Sequence, residues 1–94
     1  MTLSQLRSVS QRASQKKNWK ETQRTIDSEV EEQFKDLVRC TVPFYIAGNI
    51  ANLPTKEERH AWIESIPDDC YPAHAKKLII MGAKKIFSEL QKGR

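Results

Sequence analysis

Apolar residues recur along this chain mostly at steps of three and four, the spacing of one helical face. Leu3, Leu6, Val9 and Ala13 mark a first, narrow stripe, opened by Thr2 and Gln5 in a capping pattern. Trp19, Gln23, Ile26, Val30, Phe34, Leu37 and Thr41 follow one another on a second face. With Asn18 as its cap, this predicts the longest helix, over residues 19–41. Val42-Pro43 is expected to break or kink it.

The most apolar segment follows, with Phe44, Tyr45, Ile46, Ala47, Ile50, Ala51 and Leu53. It reads as a central core helix, with an exposed docking patch as the alternative. Gly48 within it is a candidate for a close helix crossing. Residues 53–67 are the most sharply punctuated stretch. Thr55 and Glu58 form a capping box, Trp62, Ile63 and Ile66 give a short stripe, and Pro67 ends the helix. Asp68 or Asp69 is expected to cap a last helix with Pro72 near its first turn. That helix carries Ala75, Leu78, Ile79, Gly82, Ala83, Ile86 and Leu90 on its apolar face. The prediction is an all-α fold: four to five helices in a small bundle, two of them long (19–41 and 73–90) with a short capped helix between them.

Composition supports this. Three glycines and four prolines in 94 residues leave long stretches free of breakers. The length suits one domain. Its first 17 residues, polar and thinly striped, are expected to form a loosely docked basic helix. No apolar run approaches the roughly 18 residues that span a bilayer. The N-terminal stretch lacks the apolar core of a secretion signal. A soluble protein of the cytosol is therefore expected.

Charge sharpens the picture. Residues 1–24 carry +5, residues 25–54 and 55–70 each carry −3, and residues 71–94 carry +5. Basic ends flank an acidic middle. Arg7, Arg12, Lys16, Lys17, Lys20 and Arg24 at one end, and Lys76, Lys77, Lys84 and Lys85 at the other, are the candidate partner- or nucleic-acid-binding residues. The bland alternative is that the ends pair with the chain's own middle. Trp19 is the only aromatic among these cations, so a stacking platform for single strands is not expected.

Candidate chemistry is sparse. Cys40, His60, Cys70 and His74 lack the close ligand pairs of a zinc site, and no metal or cofactor is expected. Two cysteines make no disulfide framework. Glu31-Glu32, Glu57-Glu58 and Asp68-Asp69 are adjacent acids, which point apart on a helix and read as surface and caps. No nucleophile elbow or phosphate loop is present. An enzyme is not expected.

The block Asn52-Leu53-Pro54-Thr55-Lys56-Glu57-Glu58-Arg59-His60-Ala61-Trp62-Ile63 resembles a segment of small accessory proteins of temperate phages and prophages. There, a Leu-Pro start precedes a Glu-Arg-Arg-like turn and an aromatic residue or leucine; here His60 stands where a second Arg is common. The resemblance covers about a dozen residues. It implies a host-inhibitor type of protein, such as the anti-RecBCD and anti-CRISPR proteins. Such a protein would bind and inhibit or modulate a host nucleic-acid-processing or defence complex, for example a nuclease or helicase, in the bacterial cytosol. The alternatives are a small basic DNA-binding module of phage recombination or replication, and a self-associating structural helical protein, dimeric in the simplest case.

Overall fold

A computed structural model describes residues 1–93 and contains five α-helices and no strand among them. They are α1 (Leu3–Ser14), α2 (Trp19–Glu29), α3 (Lys35–Ala51), α4 (Lys56–Glu64) and α5 (Ala75–Lys92), with one 3-10 turn at Glu32–Phe34. The all-α expectation holds. The shortest dimension of the molecule, 20 Å, is that of two helix layers.

α3 is the hub, in contact with every other helix and most broadly with α5. Its residues sort by angle at about 100° per position. Val38, Tyr45 and Asn49 look toward α1, where the Asn49 Nδ2 donates to Ser14 Oγ at 2.8 Å. Val42, Ile46 and Ile50, all buried, share the arc of Arg39, which donates to Asp27 of α2 at 2.8 Å. α2 lies over this arc near Arg39, and α4 over its far end at Ile50. Ser65, just past α4, accepts from the Trp19 backbone N–H at 3.0 Å. The layers are thus α1, α3 and α5 on one side, and α2 and α4 on the other.

The caps form much as the sequence predicts. Thr2 and Gln5 close a reciprocal box at 3.1 and 2.7 Å. Asn18 accepts from Glu21 N–H at 2.9 Å. Thr55 accepts from Glu58 N–H at 3.1 Å, but the Glu58 carboxylate bonds the Thr55 hydroxyl instead of its backbone, so this box is half made.

The predicted helix over 19–41 is two helices. The chain is extended at Val30 and Glu31, and the break falls there. Asp27, Glu29, Glu31 and Glu32 crowd the end of α2, where the helix dipole disfavours anions and like charges at helical spacing repel. Leaving the helix separates them and puts each beside a cation. The Met1 ammonium lies 2.7 Å from Glu31, Arg12 donates to Glu29, and Lys35 lies 3.0 Å from Glu32.

Pro43, by contrast, sits inside α3 without ending it. A proline there costs about 3 kcal/mol, because the Arg39 carbonyl loses its donor. Packing outweighs this: Val42, Pro43, Ile46 and Ala47 are all buried. Leu37, expected on the buried face, is exposed, because the break at Val30 resets the helical phase.

α5 begins at His74 without a side-chain cap, not at Asp68 or Asp69. The residue before Pro72 is driven out of helical conformation, so the helix starts beyond the cis Tyr71-Pro72 bond. Asp68 accepts from Lys76 at 2.9 Å instead. The N-terminal helix packs on the bundle. Leu6, Val9 and Ala13 are in the core, and Thr22 of α2 ties down the Ala13 carbonyl at 2.7 Å. Serines fill the rest of the contact: Ser10 and Ser14 are buried, with their hydroxyls bonded to Leu6 and Gln11 carbonyls. The apolar stripe understated this packing.

Candidate protein-binding face

Among the described residues, the predicted cations divide by what the fold does with them. Arg12 pairs with Glu29, Arg24 with Glu21 at 3.1 Å, and Lys76 with Asp68. The Arg12 and Lys76 pairs join a basic end to the acidic middle, whereas Arg24 pairs with Glu21 inside its own helix. Arg7, Lys16, Lys17, Lys20, Lys77, Lys84 and Lys85 are exposed, and none takes part in an ion pair among the described residues.

The unpaired cations do not converge. Lys16 and Lys17 lie in the α1–α2 turn, with Lys20 just inside α2. That turn is held from the other layer by Trp62 of α4, whose indole N–H donates to the Lys16 carbonyl at 2.9 Å. A cleft of about 490 Å³ runs beside it, past Asn18, Asn49 and Ser65. Lys77, Lys84 and Lys85 lie on the outer side of α5, and Arg7 on α1. Residues 65–74 join α4 to α5, too long a link for the turn of three or four residues in a helix-turn-helix.

The residues that do converge are not the cations: Phe44 opens the segment for which an exposed docking patch is the alternative expectation, and Leu3, Leu37, Leu78 and Met81 join it from stripes read as buried faces. The arc of α3 opposite α2 and α4 is uncovered, and it is apolar. Phe44 is 67% exposed and Leu37 is 55% exposed, with Cys40 exposed between them. Leu3 of α1 (73%) lies to one side, and Met81 (58%) and Leu78 of α5 to the other. Two shallow grooves flank the α3 ridge. One of about 230 Å³ runs along α1 past Arg7, Leu37 and Tyr45. The other, about 270 Å³, runs along α5 between Phe44, Leu78, Met81 and Lys85. Gly48, one turn beyond Phe44, leaves open space where a side chain would stand.

A signal was present in the sequence. α3 carries apolar residues on all sides, more than a single buried face uses. Contiguous exposed apolar surface of several hundred Å² marks interaction sites on soluble proteins.

The exposed cysteine and the histidines build nothing further. No group of three or more His, Cys, Asp or Glu residues comes together among the described residues. Cys70 is buried and donates weakly to the Pro72 carbonyl at 3.5 Å. Residues 52–63 form the α3–α4 link and most of α4. There Arg59 donates to the Leu53 carbonyl at 2.8 Å and stacks 4.6 Å from the Phe87 ring centre. These contacts are internal and brace α4 against α5.

Fold and face together define a small two-layer helical protein with one uncovered apolar side edged by cations. No family model matches the chain, and no curated protein or solved structure is significantly similar to it. No helix among the described residues is long and apolar enough to cross a membrane.

Proposed function

We propose that this protein acts by stoichiometric binding, docking the outer side of α1, α3 and α5 on another protein. In the setting implied by residues 52–63, it is a phage-type accessory protein of the bacterial cytosol. Its target is then a host nucleic-acid-processing or defence complex, which it inhibits or modulates by occupying a surface. The observation that carries this reading is the exposure of Leu37 and Phe44 on α3 and of Met81 across the groove from Phe44, on a chain whose other large apolar residues are mostly buried or half-buried. Aromatic and methionine side chains are enriched in protein interfaces.

The test compares the wild-type protein with the pair Phe44→Asp and Met81→Asp in pull-downs from bacterial lysate, read by mass spectrometry. A host protein held by the wild type and lost with the pair is the expected result. Equal capture by both, or capture of nothing, removes the proposal.

A second reading, contact with DNA, is favoured by Lys16, Lys17 and Lys20, which cluster without ion-pair partners at one turn. It predicts binding at about 50 mM salt that vanishes on reversing those charges. Undetectable binding there eliminates it.

A further inference from the structure

Resting on that reading of the face, we propose that the groove between α3 and α5 receives an acidic amphipathic helix of the partner protein. Its apolar side chains would settle between Phe44 and Met81, and its carboxylates would meet Lys77, Lys84 and Lys85.

Charge segregation selects this occupant. α1 has no acidic residue, α3 has none after Asp36, and α5 has none before Glu89. The other acids lie on α2, α4 and the links. The uncovered layer is therefore apolar and cationic, and the complementary surface is apolar and anionic. Lys77 and Lys84 stand one heptad apart, with Met81 between them on the same side of α5. A helix lying alongside α5 presents carboxylates at the same interval, about 10 Å apart.

A second copy of the chain is a poor match. Face to face, two such layers bring cation against cation. The chain's acidic layer offers no apolar stripe in return, since Trp62 is buried there. An anionic membrane would meet the lysines, but both tryptophans, the residues favoured at a bilayer interface, are in the core.

The test titrates the full chain with two dye-labelled helical peptides of about three heptads, followed by anisotropy. Both carry leucines on one face; one is flanked by glutamates and the other by lysines. The glutamate peptide is expected to bind at least about tenfold more tightly at about 50 mM salt, with the gap shrinking near 300 mM. Phe44→Asp, Met81→Glu, and the pair Lys77→Glu with Lys84→Glu should each weaken it about tenfold. The pair Lys16→Glu with Lys17→Glu should not. Thermal midpoints confirm that each variant is folded, and Met81→Glu serves should Phe44→Asp unfold the chain.

Equal affinity for the two peptides overturns the assignment. So does binding to vesicles of phosphatidylserine and phosphatidylcholine with no peptide binding, or concentration-dependent dimerisation that Phe44→Asp abolishes. If neither peptide binds but a lysate protein is captured in a Phe44-dependent way, the acidic-helix assignment falls and the binding face stands. If capture ignores Phe44→Asp, the binding face itself falls.

Discussion

Gly82 of α5 crosses Ala47 of α3 so closely that a Cβ on Gly82 would lie 2.9 Å from the Ala47 Cβ. This is the contact on which the two largest helices meet. Helix propensity alone favours Gly82→Ala by about 1 kcal/mol, since alanine restricts the unfolded chain. Steric overlap at a helix crossing costs about 1–3 kcal/mol and has no flexible side-chain end to absorb it. We expect Gly82→Ala to be net destabilising in urea titration, and Ala47→Gly to recover part of the loss in the double variant. A Gly82→Ala protein as stable as wild type would show that the helices part without cost.

Gly48 gives the opposite expectation on the same helix. Its added Cβ meets nothing within 4 Å. Gly48→Ala should therefore raise stability by about 0.5–1 kcal/mol, read as a higher urea midpoint at unchanged slope. If α3 docks a helix there, the same substitution weakens partner binding while it stabilises the free protein.

Thr22 tests whether the N-terminal helix is held as firmly as its burial indicates. Its hydroxyl, fully buried, donates to the Ala13 carbonyl at 2.7 Å. Thr22→Val keeps the shape and removes the donor, with an expected cost of about 1 kcal/mol. Amide exchange should rise most along α1. Exchange rising equally everywhere would argue against a local tie.

The ion pairs predict a difference between neighbouring cations. Arg12 is engaged with Glu29, whereas Lys17 has no ion-pair partner among the described residues. Both members of the Arg12 pair are about half exposed, so screening keeps its worth within about 1 kcal/mol. Arg12→Glu should lower the thermal midpoint slightly, and Lys17→Glu should leave it in place. Binding loss in an Arg12 variant must therefore be corrected for stability before it is ascribed to contact with a partner.

Helix type was legible in the sequence because it follows from local causes. Steps of three and four, the caps at Thr2, Asn18 and Thr55, and the scarcity of glycine all act within a few residues. Breaks were less legible. The chain crosses Pro43 as helix because the burial of Val42, Pro43, Ile46 and Ala47 outweighs a missing hydrogen bond, and it leaves helix at Val30 because four acids crowd six residues. Each outcome weighs local preference against a partner distant in sequence.

Charge gives the sharpest division. The sequence by itself determined that cations gather at the ends and acids in the middle, since that is a count along the chain. Only the tertiary structure decided which cations are consumed by that middle and which are left. Arg12 reaches Glu29 because α1 and α2 fold back on each other, while Lys77 and Lys85 are left exposed on a helix with no acid before Glu89. The apolar face has the same origin. A helix apolar on all sides is specified residue by residue, but α1, α2, α4 and α5 cover only part of its circumference. Which arc stays open, and so which of its side chains meet another molecule, depends on where the other helices pack.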